Sequence, residues 1–238
     1  MEAELNAWYE RTKRDLPWRH TTDPYAILVS EVMLQQTQVD RVIPRYLAWL
    51  ERWPTAERLA AASAGDVIRA WQGLGYNRRA LALHRAAQVV ARDGWPDSLT
   101  ALPGVGPYTA AAVRNFAFGE NVLPHDVNVD RIERRTGYSF TGAAAQALMD
   151  LGATVCLARV PRCEACPLTA ACPSRGTRDE PLRRQNRFEG SFRQRRGATL
   201  RQIAAAATPH ELLDHEAVVA LSRDGLVVLA ADGTVALP

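Results

Sequence analysis

Four cysteines within 17 residues constrain this chain more than any other feature of its sequence. They are Cys156, Cys163, Cys166 and Cys172, with six, two and five residues between them. Such clustering, in a sequence with no secretory signal, indicates a metal or cluster site in preference to disulfide bonds. Zinc ribbons usually pair two C-x2-C knuckles, whereas here one such pair stands between longer arms. The spacing therefore favours an iron–sulfur cluster, with zinc as the alternative.

The composition is that of a globular chain. It has 238 residues, 47% of them apolar, which allows one large or two modest domains plus an appendage. No segment approaches about 18 consecutive apolar residues, and the N-terminal segment carries both signs of charge, so we expect neither a membrane span nor a signal peptide. The expected location is the cytoplasm.

The positive charge is almost entirely guanidinium. The net charge is +3, and Lys13 is the only lysine. Arginine suits phosphate through its planar fork. A coding bias of the genome explains the same composition, so the arginines alone identify no partner.

Apolar periodicity predicts a helical chain up to about residue 222, with no strands in that part. Asp23 before Pro24 is typical of a helix start, with a capping side chain followed by proline at the first helical position. The first nine helices are predicted at about 3–14, 24–37, 39–52, 55–62, 65–72, 78–92, 107–117, 127–135 and 143–155.

The sequence changes character at Pro173. Between Pro173 and Arg201, nine arginines stand against three acidic residues, which indicates a linker or a phosphate-facing strap. Helices in ATLRQIAAAA and HELLDHEAVVAL are followed by two short apolar runs around an Asp232-Gly233 hairpin turn. This order predicts a small winged-helix-like module, with a packing appendage as the alternative.

A glycine-rich hairpin, LPGVGPYT at residues 102–109, precedes an alanine-rich helical run. Glycines ahead of a helix N-terminus let several backbone N–H groups point in one direction, which fits a DNA phosphate oxygen or a bound cation. The groups concerned belong to Gly104, Val105 and Gly106. Read alone, the segment is equally compatible with a tight turn between two helices.

Together these motifs resemble those of a known family, the helix-hairpin-helix DNA glycosylases with a C-terminal iron–sulfur loop, which include endonuclease III and MutY. The spacing C-x6-C-x2-C-x5-C is diagnostic of that family and is matched at every position. The likeness covers roughly residues 7–175 and includes LPWR, DPY, SEVMLQQTQV, WQGLGY and MDLGA. SEVMLQQTQV and GLGY are closer to MutY than to endonuclease III.

The resemblance implies an all-α fold, with a six-helix barrel and an iron–sulfur domain, followed by the small α+β winged-helix-like appendage. The implied domains are an N-terminal helix packing with the cluster domain (1–20), the barrel with its helix-hairpin-helix (21–137), the cluster domain (138–176), and a basic linker with the appended module (177–238). It also implies that the four cysteines hold a [4Fe–4S] cluster.

Two carboxyl groups are candidates for the chemistry. Glu31 lies in AILVSEVML, a helix segment that is apolar almost all round, so we expect it to be buried and protonated. Asp126 immediately precedes a helical run, where a helix N-terminus stabilises an anion, and either Asp126 or Asn128 is an ordinary cap there. Glycosidic cleavage needs such a pair, since one group protonates the leaving base and the other stabilises the oxocarbenium-like sugar.

The family resemblance assigns the roles. It implies that Glu31 protonates a departing adenine, that Asp126 stabilises or transiently traps the sugar, and that Asn128 and Tyr108 support these two. Endonuclease III has its Schiff-base lysine at the position of Tyr108, and lysine forms such adducts through its amine. We therefore expect a monofunctional glycosylase without β-lyase activity.

The expected partner is double-stranded DNA that contains a mismatch or lesion. A base inside a duplex must be flipped out to reach the carboxyl groups. By resemblance, Gln36 and Tyr76 are the wedges that enter the base stack, and Arg78 and Arg79 join the hairpin N–H groups in contacting phosphates. We expect a monomer, associated with the nucleoid and not with a membrane.

Three departures from the family leave the specificity open. Residues 135–149 form a shorter segment than their family counterpart, and Val127 stands where a small residue is usual, between the unusual neighbours His125 and Asp130. About 60 residues follow the cysteines, too few for the Nudix-related domain with which MutY recognises 8-oxoguanine. The alternatives are a thymine or uracil mismatch glycosylase, another lesion glycosylase, or a non-catalytic lesion-binding protein.

Overall fold

The helices predicted from periodicity are present. A computed structural model of the chain describes residues 1–180 and 187–238. Its first nine α-helices end within three residues of the predicted positions. They are α1 (Glu2–Thr12), α2 (Pro24–Leu34), α3 (Val39–Arg52), α4 (Ala56–Ala60), α5 (Ala64–Ala70), α6 (Arg78–Asp93), α7 (Pro107–Phe116), α8 (Val127–Thr136) and α9 (Ala145–Thr154).

Local chemistry fixes several helix ends. The predicted cap at Asp23 is confirmed, because its carboxylate accepts hydrogen bonds from the backbone N–H groups of Tyr25 (3.1 Å) and Ala26 (3.2 Å). Helix α8 ends at Thr136 and is capped by Gly137, which has the left-handed φ of 67° that glycine adopts without steric cost. Within the described residues, no helix is long and apolar enough to cross a membrane.

The described residues form two compact units. The first contains residues 1–28 and 105–180, and the second contains residues 29–104 and 187–238. The chain passes from the first unit to the second within α2 and returns in the glycine-rich hairpin. The four predicted domain ranges follow the modules of the family and do not coincide with these two compact units. They stay a prediction.

The core of the first unit joins the N-terminal helix to the region of the cysteines. Leu5 of α1, Ile132 of α8, Leu151 of α9 and Leu168 are all buried in one cluster. A buried ion pair adds to this packing. Asp150 of α9, whose side chain is 2% exposed, accepts hydrogen bonds from the guanidinium groups of Arg14 and Arg19 at 2.7 Å. The motifs LPWR and MDLGA are therefore partners in one ion pair.

The second unit contains α3 to α6 and a C-terminal module, residues 187–238. The module consists of α10 (Phe192–Ala205), α11 (His215–Arg223) and three short strands, β1 (Thr208–Pro209), β2 (Val228–Leu229) and β3 (Thr234–Ala236). The antiparallel sheet has the order β1-β3-β2, with Leu229 paired to Val235 and Thr208 also paired to Val235. The predicted hairpin around Asp232-Gly233 is thus present.

Two features of this module differ from the sequence prediction. The segment from Pro173 to Arg201 was predicted as a linker or strap, but it is helical from Phe192 onward because Ser191 caps α10 by accepting a hydrogen bond from the backbone N–H of Gln194. Residues 181–186 of that segment lie outside the described residues. Strand β1 has two residues, too few to show an alternating pattern in the sequence.

Candidate active site

Glu31 is buried in α2, as the sequence predicted. Glu31 is 5% exposed, and its neighbours in the sequence, Val29, Ser30, Val32 and Met33, are also buried. A carboxyl group removed from water favours its neutral form. The position therefore suits a proton donor.

Asp126 caps helix α8 with both oxygens of its carboxylate. Oδ1 accepts hydrogen bonds from the backbone N–H groups of Asn128 (2.9 Å) and Val129 (2.8 Å). Oδ2 accepts a hydrogen bond from the side-chain amide of Asn128 at 2.8 Å. Three donors at the helix N-terminus hold the carboxylate in one orientation. Asp126 is the helix cap, and Asn128 orients its second oxygen.

Asn128 is itself held by Arg131, a residue that the sequence analysis missed. Arg131 is 7% exposed. Its Nη2 donates to Asn128 Oδ1 at 2.8 Å and to the carbonyl of Gly152 at 3.0 Å, while its Nε donates to the carbonyl of Cys156 at 2.8 Å. The spacing of three residues within a helix would have placed Arg131 beside Asn128. This arginine connects the Asp126 cap to the first cysteine.

The glycine of the MDLGA motif makes room for Asn128. A Cβ atom built on Gly152 would lie 2.6 Å from the Cβ of Asn128, closer than two carbon atoms can approach. Helices α8 and α9 therefore pack tightly at this point because residue 152 has no side chain. Any larger residue would displace Asn128 or α9.

Tyr108 lies in the first turn of α7 and is half-buried. Lys13, the only lysine, is in the turn after α1, where its ammonium group forms an ion pair with Glu10 at 2.7 Å. Val127, beside the Asp126 cap, is 67% exposed. His125 lies 3.1 Å from Asp130, so both unusual neighbours of Val127 contact each other on the exposed side of the helix start.

The glycine-rich hairpin has the backbone that its sequence suggests. Gly104 has a φ of 78°, and a Cβ there would lie 2.7 Å from the Cβ of Ala82, so only glycine fits. Gly106 is the N-cap of α7, followed by Pro107 at the first helical position. Within the described residues, no protein acceptor pairs with the N–H groups of Gly104, Val105 or Gly106. Gly104 and Gly106 are exposed, whereas Val105 is buried.

The two predicted wedges are the two non-glycine residues with positive φ in the described part of the chain. Gln36 has a φ of 55° and Tyr76 a φ of 47°. Gln36 is exposed, and Tyr76 is 45% exposed. Left-handed backbone at ordinary residues is strained and is typical of functional sites. The turns that contain them, residues 35–37 and 74–76, are called the wedge turns below.

Arg79 holds the two wedge turns together. Burial lowers the pKa of its guanidinium to about 10. Its Nη1 donates to the carbonyls of Val32 (2.7 Å), Met33 (3.2 Å) and Gln35 (2.6 Å), and its Nη2 donates to Thr37 Oγ1 (3.1 Å) and the carbonyls of Leu74 (3.3 Å) and Gly75 (3.0 Å). Several of these acceptors are carbonyls at the C-terminal end of α2, which have no partner within the helix. Arg79 thus binds the protein itself, which differs from the phosphate contact predicted for it.

Arg78 has the exposure expected of a phosphate ligand. Its side chain is 76% exposed, and its Nη1 lies 3.8 Å from Asp224 Oδ1. Of the two adjacent arginines, Arg78 therefore faces solvent, whereas Arg79 is used in the fold.

The four cysteines line one cavity, together with side chains of α8 and α9. Burial raises the pKa of the Cys166 thiol to about 11. Arg135 Nη1 lies 3.4 Å from Cys156 Sγ, and the backbone N–H of Gly176 lies 3.3 Å from Cys163 Sγ. In the described ranges, no three His, Cys, Asp or Glu side chains converge as the ligands of a single metal ion do. Among the described residues, the four thiols line a common cavity and do not converge on a single metal position.

The lining of this cavity also contains unpaired polar atoms. Among the described residues, Arg135 Nε and Thr169 Oγ1 are buried without a hydrogen-bond partner, and both residues line the cavity. Buried unpaired donors are costly and rare. Positive charge from Arg135 and hydrogen-bond donors around four thiols fit a negatively charged thiolate cluster.

Comparison with known proteins agrees with this arrangement. Residues 29–151 match the family described as HhH-GPD superfamily base excision DNA repair protein. The chain therefore belongs to the HhH-GPD superfamily, and its partner is DNA. The predicted family and the predicted fold class are confirmed.

Adenine DNA glycosylases of bacteria and of humans align with this chain. The chain is 40% identical to an adenine DNA glycosylase of Mycobacterium tuberculosis (strain CDC 1551 / Oshkosh), over 100% of this chain and 93% of that protein. It is 42% identical to the adenine DNA glycosylase of Mycolicibacterium smegmatis, over 99% of this chain and 95% of that one. The human adenine DNA glycosylase is 38% identical over 73% of this chain and 39% of its own length.

Solved structures with the same fold have other names. A thermostable thymine-DNA glycosylase is 28% identical, with a TM-score of 0.66 over 73% of this chain and 94% of that chain. A trapped endonuclease III–DNA covalent intermediate has a TM-score of 0.62 at 20% identity, over 73% of this chain and 92% of that chain. The latter likeness concerns the fold alone.

Proposed function

We propose that this chain is a monofunctional adenine DNA glycosylase that hydrolyses the N-glycosidic bond of adenine opposite 8-oxoguanine or guanine. The observation that carries the proposal is the Asp126 cap, an anion fixed by three donors beside Asn128. The adenine DNA glycosylases that align with nearly the whole chain support the choice of base.

The two carboxyl groups divide the chemistry. Glu31, buried in α2, donates a proton to the departing base, so the base leaves without negative charge. Asp126, held as an anion, stabilises the positive charge that develops on the sugar. A water molecule then completes the hydrolysis and leaves an abasic site.

Tyr108 supports a glycosylase without lyase activity. A lyase needs an amine that forms a Schiff base with the opened sugar. The only lysine is Lys13, which pairs with Glu10 in another part of the sequence. We expect no enzyme–DNA adduct to be trapped by borohydride, and the product strand should break only after hot alkali.

The DNA is held from its backbone and opened by the wedge turns. Gln36 and Tyr76 enter the base stack, supported by the strained backbone that presents them. The N–H groups of Gly104, Val105 and Gly106 bind a phosphate or a cation that bridges to one, and exposed Arg78 binds a second phosphate. A monomer is sufficient for these contacts.

Cys156, Cys163, Cys166 and Cys172 hold a [4Fe–4S] cluster in this proposal. The cavity that they line and the donors around it support the larger group over a single zinc ion. A brown protein with four irons per chain is the expected result of elemental analysis and visible absorption. A colourless protein that yields zinc would contradict the assignment.

The test is a single-turnover cleavage assay. Duplexes with A:8-oxoG, A:G, T:G, U:G and a hypoxanthine mismatch are incubated with the parent protein, Glu31→Gln and Asp126→Asn, with and without hot alkali. We expect alkali-dependent cutting at A opposite 8-oxoG that both variants lose. Lys13→Gln is the control, because Lys13 takes no part in the proposed chemistry.

The second candidate is a thymine or uracil mismatch glycosylase. It is favoured by the fold of the thymine-DNA glycosylase structure and by the short segment at residues 135–149. Cutting at T:G or U:G with none at A:8-oxoG would select it. Binding without turnover, unchanged in Glu31→Gln, would indicate a lesion-binding protein.

A further inference from the structure

The C-terminal module is packed firmly against the helices that carry the wedge turn at Tyr76. Leu200 of α10, Leu221 of α11 and Val235 of β3 share one buried cluster with Ile68 of α5 and Leu81 of α6. Leu237, near the end of the chain, also packs closely against α5, because a Cβ atom added to Gly65 would lie 3.3 Å from the Cβ of Leu237. The shared core fixes the module relative to the first turn of α6.

This packing brings one arginine of α10 into a cleft beside the wedges. The cleft has a volume of about 300 Å³. We call it the basic cleft, and its lining residues are Gln35, Gln36, Tyr76, Asn77, Arg78, Arg79 and Arg196. Three guanidinium groups and no carboxylate line it, so it suits an anion.

Arg196 is held in one orientation. Its Nη2 donates to Asp224 Oδ2, and the same carboxylate lies 3.8 Å from Arg78 through Oδ1. Arg196 Nε is buried and has no partner within the described residues. Since Nη2 is paired and Nε is inaccessible, Nη1 is the donor that remains for a ligand. A guanidinium fixed in this way loses little conformational freedom when it binds.

We propose that Arg196 binds a backbone phosphate of the DNA beside the wedges, so that the C-terminal module forms part of the DNA-binding surface. This inference rests on the proposed function, because Gln36 and Tyr76 bring the DNA backbone to the basic cleft only if they enter the base stack. The ligand is a phosphodiester, which accepts hydrogen bonds from the planar guanidinium group.

The neighbouring residue on α10 provides a matched control. Arg195 carries the same charge, but its guanidinium is 2.7 Å from both Asp214 and Glu216 and it does not line the basic cleft. Arg195→Gln and Arg196→Gln change the net charge equally. An effect of Arg196→Gln alone is therefore an effect of position.

The first experiment measures DNA affinity as a function of salt, in the Glu31→Gln background so that no base is removed. For Arg196→Gln we expect about tenfold weaker binding to matched and mismatched duplexes alike, and a slope of log K against log [salt] smaller by about 0.9. Arg195→Gln should keep the parent slope, and Arg196→Lys should keep the slope while binding more weakly. Equal slopes for Arg196→Gln and Arg195→Gln overturn the proposal.

The second experiment locates the phosphate. Each phosphate near the mismatch is replaced in turn by a neutral methylphosphonate, and the loss of affinity is compared between the parent and Arg196→Gln. We expect one position at which the methylphosphonate weakens the parent but no longer weakens the variant. Additive losses at every position overturn the proposal. If the parent cleaves none of the mismatches, the proposed function fails instead, and the two failures are thereby distinguished.

Discussion

The strain at Gln36 predicts that glycine there is more stable than alanine. Gln36 has a φ of 55°, in the left-handed region. Any residue with a Cβ adopts this backbone at a cost of about 1–2 kcal/mol, which glycine avoids. Glycine in turn costs about 0.4–1 kcal/mol through the greater freedom of the unfolded chain. The balance favours Gln36→Gly over Gln36→Ala by about 0.5–1 kcal/mol in the free energy of unfolding.

Gln88 supplies a control of opposite sign. It is exposed and lies inside α6, where a helical backbone suits alanine. Gln88→Gly should be less stable than Gln88→Ala by about 1 kcal/mol. The four variants are compared by urea denaturation, followed by circular dichroism, with the slope of the transition checked for constancy. The two sites should show inverted orders of stability.

Activity should follow the side chain and not the stability. Both variants at Gln36 lack the side-chain amide that we propose enters the base stack, so both should excise adenine more slowly than the parent and by similar factors under single-turnover conditions. The reasoning fails if Gln36→Gly is less stable than Gln36→Ala. It also fails if the glycine variant recovers the parent rate, because the backbone alone would then be sufficient.

Three other contacts give predictions of their own. Asp150→Asn should lower the free energy of unfolding by about 3–5 kcal/mol, because it leaves Arg19 buried without its anion. The pKa of Asp150 is lowered in the folded protein. The ion pair therefore contributes fully to stability above the ordinary aspartate pKa of about 3.9, and this contribution is lost as the pH falls through the lowered pKa. Urea unfolding between pH 2.5 and 6 measures the loss. Gly152→Ala should slow excision through the displaced Asn128 and leave equilibrium DNA affinity unchanged. Arg79→Met should lower the unfolding free energy by about 2–4 kcal/mol, measured in urea, because several carbonyls lose their charged donor.

The sequence predicted the helices and the cap at Asp23 because these depend on local patterns. Periodicity, a capping side chain and a proline at the first helical position are all visible within a few residues. The positive φ of Gly104 fits the turn that the hairpin motif indicated, but its close contact with Ala82 depends on the fold. Local chemistry therefore accounts for most of the helical framework.

The role of Arg79 was not predictable in the same way. In the sequence, a basic residue soon after GLGY suggests a phosphate contact. The seven acceptors of Arg79 are spread over residues 32–37 and 74–76, and only the folded chain brings them together. The positive φ of Gln36 and Tyr76 was also hidden, because neither residue type favours it. Backbone strain of this kind is visible in a structure but cannot be predicted from residue propensities.

Helix α8 gives a physical reason for a cysteine loop in an enzyme whose reaction transfers no electrons. Its N-cap is Asp126, and Arg131 further along binds both Asn128 and the carbonyl of Cys156. Arg135, one turn later, donates to the carbonyls of Leu157 and Ala158. Any group that orders the cysteine loop therefore orders the acceptors of these two arginines. In the proposed mechanism, the loop thereby helps to position the Asp126 carboxylate through these hydrogen bonds.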